Sequence, residues 1–167
     1  MSNILTFRNA GIEDLQIILD IYNSTIPSRM ANSNTEPLSI VDILDWFYEH
    51  NNEKRPLWVV EYQRKICGWV SIRSFAGRPA YNTTSEIWIY LHEDYRGKGL
   101  GKKILKKIIE ICPKFEIDTL LAFTFKHNEP SVKLFSNFGF EMWGHLPEVA
   151  KLDGVKRDII ILGKKIS

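Results

Sequence analysis

Residues 86–104 form the stretch that most constrains how this 167-residue chain can fold. Within residues 86–91, positions 87–90 alternate β-branched and aromatic side chains, which favours an extended strand. Gly97, Gly99 and Gly101 follow, each separated by one residue, and apolar residues then recur with helical spacing among lysines. A glycine-rich turn that leads from a strand into a basic helix exposes free backbone N–H groups, and such groups bind phosphate.

The spacing of the glycines separates the known kinds of phosphate-binding loop. The nucleoside triphosphate loop needs a hydroxyl residue after Gly-Lys, but Gly99 follows the first Gly-Lys of this chain and Lys103 follows the second. In the dinucleotide fingerprint the third glycine comes one residue later than it does here. What fits is Arg/Gln-x-x-Gly-x-Gly/Ala, running from Arg96 to Gly101. The alternative is a plain turn without function, which the basic helix that follows disfavours.

Composition limits the class of protein. The hydrophobic share of 44% and the charged share of 25% are those of an ordinary globular protein, and we expect a single domain over residues 1–167. A net charge of +2 gives no reason to expect nucleic acid as a partner. The chain has no run of 18 apolar residues and no signal-peptide pattern, so we expect no membrane association and a cytoplasmic location. Cys67 and Cys112 stand in apolar surroundings and are expected to be reduced core residues.

Periodicity along the rest of the chain predicts an α/β fold. Strands are predicted at residues 5–8, 58–62, 66–74, 86–91, 119–125, 140–146 and 156–162, and helices begin near Glu13, Ser39, Leu100 and Asn128. Ser39 and Asp42 resemble a capping pair, residues 23–37 read as a loop, and Asp153-Gly154 suggests a loose hairpin. The strand at residues 119–125 is apolar on both faces, so we expect it in the middle of a sheet covered by helices.

This order of elements and motifs resembles the GNAT superfamily of N-acetyltransferases, and within it the phosphinothricin and methionine sulfoximine acetyltransferase branch. The motifs that carry the resemblance lie at residues 21–23, 36–37, 78–81, 86–91, 96–101, 128–131, 138–140 and 146–149 and at Asp158. The resemblance implies the GNAT acyl-CoA N-acyltransferase fold, a mixed central β-sheet flanked by helices. It further implies acetyl-CoA as co-substrate, no metal and, because members of this branch are often dimers, a homodimer by analogy.

The resemblance assigns most of the predicted cofactor contacts. The backbone of Ile89, Tyr90 and Leu91 would pair with the pantetheine arm, and Asn128 would contact the arm farther along. The diphosphate would be held by the loop and helix start, which comprise Arg96, Gly97, Lys98, Gly99, Leu100, Gly101 and Lys102. The residue types are compatible with these roles, since an open strand edge and a glycine-rich helix start suit such a ligand.

Glu86 is the predicted general base, because the resemblance assigns this role to its position. Transfer to an amine needs a neutral nitrogen, and a nearby carboxylate can accept the proton. The alternative for Glu86 is an ordinary solvated strand residue. An N–H of Ile89 or Tyr90 would stabilise the oxyanion. The position that often holds the general acid is Phe135, which cannot donate. Tyr90, Tyr81 or His127 would have to substitute for it, and no acid is assigned.

The sequence says least about which molecule accepts the acetyl group. Arg29 or Arg78 would pair with an acceptor carboxylate, and Tyr81 belongs to a motif expected to line the acceptor site. We expect a small amine or amino acid as acceptor. Acetylation of a protein amino terminus or lysine stays open, as does a module that binds acyl-CoA without turning it over.

Overall fold

A computed structural model gives the structure of the chain, in which residues 4–166 are described. The strands are β1 (Leu5–Asn9), β2 (Leu57–Tyr62), β3 (Lys65–Ser74), β4 (Thr84–Leu91), β5 (Thr119–Phe125), β6 (Glu141–Leu152) and β7 (Val155–Lys165). The helices are α1 (Leu15–Thr25), α2 (Ile40–Tyr48), α3 (Leu100–Ile111) and α4 (Glu129–Asn137). The strands form one sheet in the order β1-β2-β3-β4-β5-β7-β6. Neighbouring strands are antiparallel except β4 and β5, which are parallel, so the predicted mixed sheet is confirmed.

Each face of the sheet is covered by a different pair of helices. Ile104 and Ile108 of α3 and Phe135 of α4 pack with apolar strand residues into the larger core. On the opposite face, Ile18 and Ile21 of α1 pack against side chains of β2, β3 and β4. β5 lies between β4 and β7, as expected for a strand that is apolar on both faces.

The main differences from the sequence prediction lie at the end of α1 and in the β6–β7 hairpin. Helix α1 continues through Thr25 into the predicted loop, because Thr25 and the following Ile26 are both buried. Strands β6 and β7 are longer than predicted, and their hairpin is tight rather than loose. Leu152 pairs directly with Val155, so the turn has two residues, Asp153 and Gly154, with φ of 51° and 82°.

Several local predictions are confirmed. The backbone N–H of Ser39 donates to the Asp42 carboxylate at 2.7 Å, which is the reciprocal bond of a capping box at the start of α2. Cys67 and Cys112 are free and fully buried. Within residues 4–166, no helix has both the length and the apolar character needed to cross a bilayer.

Candidate active site

The parallel pair of β4 and β5 separates part-way along its length. The two strands pair from Thr84 opposite Thr119 to Glu86 opposite Leu121, and no further. Beyond this point β4 stays paired with β3 and β5 stays paired with β7. The divergence opens a cleft of about 740 Å³, whose walls include residues 86–91 of β4 and residues 122–124 of β5. Glu86 therefore stands where the cleft begins.

Alternation along β4 decides which backbone groups face the cleft. The N–H of His92, just after β4, donates to the carbonyl of Cys67 in β3 at 2.8 Å. Backbone groups point to alternate sides along a strand and the β3–β4 register is regular, so those of Tyr90 also face β3. Those of Ile89 and Leu91 face the other way, towards the cleft. Of the two oxyanion donors that the sequence leaves open, Ile89 is the one whose N–H is directed at the cleft.

The glycine loop is shaped to receive a ligand. Gly97 and Gly99 have φ of 73° and 76°, which L-residues rarely adopt, and a Cβ on either would meet no other atom within 4 Å. Gly99 is the amino-terminal cap of α3 and supplies no side-chain hydrogen bond, and the first turn of α3 holds no acidic residue. The exposed loop and the uncapped helix start are therefore open to an anion.

The basic side chains around this loop differ in their contacts with the rest of the protein. Arg96 donates from Nε and Nη2 to the carbonyl of Leu91, at 3.2 and 3.0 Å, and so ties the loop to the end of β4. The Lys98 ammonium lies 5.6 Å from the centre of the Tyr95 ring. Lys102 is exposed on the first turn of α3. The field at the helix start is positive, which favours a phosphate there.

The Glu86 side chain lies on the face of the sheet that α1 and α2 cover, opposite the face that α3 and α4 cover. Its carboxylate accepts a hydrogen bond from Trp88 Nε1 at 2.8 Å, which draws it along the strand. Arg73 of β3 is the direct cross-strand neighbour of Glu86, and its guanidinium lies over the Trp88 ring, 4.9 Å from the centroid. The sequence analysis missed Arg73 and Trp88. Alternation along each strand would have placed Trp88 beside Glu86, but pairing Arg73 with Glu86 needs the register.

Comparison with known proteins identifies the family. The model described as "Acetyltransferase (GNAT) family" matches residues 18–140. The chain belongs to the GNAT family of acetyltransferases. The Bacillus subtilis (strain 168) protein named "Putative phosphinothricin acetyltransferase YwnH" is 45% identical over 98% of this chain and 100% of its own length. The L-methionine sulfoximine/L-methionine sulfone acetyltransferase of Pseudomonas aeruginosa is 28% identical over 94% of this chain and 92% of its own.

A solved GNAT structure has the same fold with its co-substrate bound. It is a phosphinothricin acetyltransferase from Sinorhizobium meliloti in complex with acetyl-CoA, with a TM-score of 0.87 and 25% identity over 96% of this chain and 88% of that one. The present chain is thus an acetyl-CoA-dependent N-acetyltransferase similar to the phosphinothricin and methionine sulfoximine branch.

The cleft of this GNAT protein has the features that acetyl-CoA requires. The unpaired edge of β4 at Ile89 suits the amide-bearing pantetheine arm, and the glycine loop suits the diphosphate. Asn128 is already engaged: its Oδ1 accepts from Ser131 N at 3.3 Å and its Nδ2 donates to the carbonyl of Met30 at 3.0 Å. Asn128 therefore caps α4 and holds Met30 beside the cleft, and its predicted contact with the arm stays a prediction.

The side chains considered as general acids have other contacts. Phe135 is buried and packs edge-on against Phe140, with ring centroids 5.0 Å apart. The Tyr90 hydroxyl donates to the carbonyl of Ala31 at 3.2 Å, and burial raises the pKa of Tyr90. His127 Nε2 lies 2.9 Å from the carbonyl oxygen of Arg29. The Tyr90 phenol keeps its proton at neutral pH, but that proton is engaged in the hydrogen bond to the backbone carbonyl of Ala31.

The three predicted acceptor residues lie away from the cleft lining. Arg29 pairs with Asp153 in the β6–β7 hairpin, with 2.8 Å between Nε and Oδ2. Arg78 and Tyr81 belong to the exposed segment that connects β3 to β4, where Tyr81 packs edge-on against Phe75. Among residues 4–166, the side chains that line the cleft do not include these three. Their roles in acceptor binding stay predictions.

Proposed function

We propose that this N-acetyltransferase acetylates the amino group of a small amine or amino acid by direct transfer, with Glu86 as general base. The observation that carries the proposal is the position of Glu86 at the residue where β4 and β5 part. Its carboxylate lies on the α1–α2 side of the sheet, and the backbone N–H of Ile89 faces the cleft three residues farther on. An amine that approaches from the α1–α2 side would meet the carboxylate before it meets the cleft.

A base is needed because the acceptor is cationic in solution. With a pKa near 10.4, an alkylamine is neutral in only about one molecule in 10³ at pH 7. A carboxylate can take the ammonium proton directly or through water. Acetyl-CoA supplies the acetyl thioester, and the N–H of Ile89 is oriented to donate to its carbonyl oxygen. Since a thiol has a pKa of about 8.5, thiolate is a tolerable leaving group without a dedicated acid.

Direct transfer is favoured over a cysteine-bound intermediate. Cys67 and Cys112 are fully buried, and neither lines the cleft. Burial raises the pKa of Cys67 to about 11 and that of Cys112 to about 12, which keeps both thiols protonated at neutral pH. A protonated, inaccessible thiol cannot accept an acetyl group.

The test replaces Glu86 with Gln and measures thiol release from acetyl-CoA with a panel of amines and amino acids that includes methionine sulfoximine. We expect kcat/KM at pH 7 to fall by about 10²–10⁴, the usual contribution of a general base, while calorimetry shows unchanged acetyl-CoA affinity. The deficit should shrink at higher pH, where more amine is neutral. Glu141→Gln, at an exposed site on the edge strand β6, is the matched control. An unchanged rate for Glu86→Gln would remove the base assignment, and thiol release with peptides but not with small amines would favour a protein acceptor.

A further inference from the structure

A single hydrogen bond orients the side chain of Glu86. The indole N–H of Trp88 donates to Glu86 Oε1 at 2.8 Å, and both residues line the cleft. Within residues 4–166, Oε2 of Glu86 accepts no hydrogen bond. One carboxylate oxygen is therefore fixed, whereas the other is free to take a proton. A base that transfers a proton efficiently needs this combination, because its free oxygen must keep a constant direction towards the substrate.

The direction matters because Glu86 lies some way from the backbone group that faces the thioester. The N–H of Ile89 is three residues farther along β4, which corresponds to about 10 Å at the rise of a strand. A base has to come within hydrogen-bond reach of the amine, either directly or through one water. The bond to Trp88 draws the carboxylate along the strand towards Ile89 and so shortens the gap. Without that bond the Glu86 side chain would be free to adopt other rotamers.

The Trp88 ring is itself held by neighbouring side chains. The Arg73 guanidinium lies over the indole, 4.9 Å from its centroid. The Tyr90 ring meets the indole edge-on, with centroids 6.4 Å apart. Contacts of a ring with a cation and with a second ring fix its orientation as well as stabilising it. The N–H that reaches Glu86 therefore belongs to a firmly held side chain.

The indole also keeps Arg73 away from the carboxylate. Arg73 is the direct cross-strand neighbour of Glu86. In the part of the chain that the structure describes, however, the ion pair that Arg73 makes within 4 Å is with Glu49. A bidentate pair between Arg73 and Glu86 would occupy both carboxylate oxygens. Because the guanidinium lies over Trp88 instead, Oε2 of Glu86 remains free.

We propose that Trp88 is a positioning residue, which orients the Glu86 carboxylate towards the acceptor amine through its indole N–H. This inference rests on the proposed function, because it requires Glu86 to be the base. Trp88 acts only through Glu86 and does not itself touch the reacting atoms. Loss of the N–H therefore lowers kcat and leaves acetyl-CoA binding intact, and it matters only while residue 86 is a carboxylate.

The test is Trp88→Phe, which removes the N–H and keeps an aromatic ring beside Arg73. We expect kcat for thiol release to fall by about 10- to 100-fold, as for a small misplacement of a reacting group, while calorimetry shows unchanged acetyl-CoA affinity. Trp88→His should recover part of this loss at pH 8. Imidazole Nε2 lies as many bonds from Cβ as indole Nε1 does, and the imidazole ring is mostly neutral at that pH.

Trp46→Phe is the matched control. The Trp46 ring stacks on that of Trp88 with centroids 6.1 Å apart, so the same substitution is made in the same aromatic cluster. Among residues 4–166, Trp46 Nε1 has no hydrogen-bond partner, and its removal breaks no bond to Glu86. This variant should keep a kcat close to that of wild type. A loss as large as that of Trp88→Phe would show that kcat responds to ring size in the cluster, and would overturn the inference.

A double-mutant cycle with Glu86→Gln distinguishes positioning from a structural role of the ring. In the Glu86→Gln background, Trp88→Phe should lower kcat no further, because no base is left to orient. Equal losses in the two backgrounds would overturn the inference, and so would a wild-type kcat in Trp88→Phe. Trp88→Leu also lacks the N–H and is taken through the same cycle, so that one poorly folded variant does not decide the outcome.

The same cycle separates failure of this inference from failure of the proposed function. Full activity in Glu86→Gln would refute the base, and the positioning role with it. A slow Glu86→Gln enzyme, combined with an unaffected Trp88→Phe enzyme or with additive losses, would refute the positioning role alone and leave Glu86 as the base.

Discussion

Replacing Gly99 and Gly101 separately with alanine tests the glycine loop, because the two glycines differ in conformation. Gly99 has φ of 76° and open space where a Cβ would be, so Gly99→Ala adds backbone strain and no clash. The left-handed region costs an L-residue about 1–2 kcal/mol, and the stiffer unfolded chain returns about 0.4–1 kcal/mol. We expect a net loss of about 1 kcal/mol, which is about 2–4 °C in Tm for a chain of this size.

Gly101→Ala should have the opposite effect on stability. Gly101 lies in the first turn of α3, and a Cβ there would make an ordinary contact, 3.6 Å from Leu134 Cδ2. Alanine is favoured over glycine in a helix by about 0.5–1 kcal/mol, so this variant should melt up to about 4 °C higher. Each variant adds one methyl group to the wild-type chain, and the two are predicted to shift Tm in opposite directions.

Both variants also test whether the loop binds acetyl-CoA. Alanine at position 99 favours a negative φ, which would turn the peptide groups that open α3 away from the anion. We expect the KM for acetyl-CoA to rise at least about 10-fold in Gly99→Ala, the loss of one or two charge-assisted hydrogen bonds. Gly101→Ala should raise it much less, because the motif accepts Gly or Ala there. Thermal unfolding, calorimetry with acetyl-CoA and thiol release give the three readouts. Equal Tm shifts, or unchanged acetyl-CoA affinity in Gly99→Ala, would refute this account of the loop.

Three further substitutions test other parts of the structure. Asp14→Asn removes the negative charge and one of the two oxygens that accept from Arg8, at 2.8 and 2.9 Å, and should lower the free energy of unfolding by about 1–2 kcal/mol at pH 7 once the exposure of Arg8 is considered. Because the hydrogen bond from Arg8 lowers the folded-state pKa of Asp14, this stabilisation is present above the unfolded-state pKa of about 3.9. It is lost as pH falls through the lower folded-state value, so urea titrations of wild type and variant should converge in acid; a constant difference down to pH 2 would contradict this. Gly163→Ala would bring a Cβ to 2.1 Å from Trp143 Cε3 and should cost about 1–3 kcal/mol, whereas adding Trp143→Ala should remove most of that cost, as a double-mutant cycle would measure. Asn128→Ala removes the cap of α4 and should lower Tm by about 2–4 °C, and an unchanged Tm would mean that the cap contributes nothing.

Much of the fold follows from local patterns in the sequence. The glycine spacing and the helical period identify the turn into α3, the Ser39–Asp42 pair marks the start of α2, and apolar residues on both faces mark β5 as a central strand. These signals depend on neighbours within a few residues, so the sequence contains them in full. The ends of α1 and β6 were missed because burial against distant residues extends them, and no local signal reports that burial.

The candidate site, like the fold, was predictable from the sequence only in part. Glu86 and the glycine loop were predicted as site residues because motif spacing is local, whereas the choice between Ile89 and Tyr90 as the predicted donor needed the direction of backbone groups in β4. Arg73 was missed because a single strand arginine carries no local signal. Its position opposite Glu86 and over Trp88 follows from the register of β3 against β4.

The sequence by itself thus determined the family, the glycine-rich turn into α3 and the carboxylate of Glu86 at the start of the cleft, because each is encoded in short-range spacing. Only the tertiary structure decided how far β4 and β5 stay together, which backbone N–H faces the resulting cleft, and which arginine lies opposite Glu86. Those features arise where segments distant in the chain pack against one another. Their geometry is set by the twist and register of the whole sheet, which no single segment specifies.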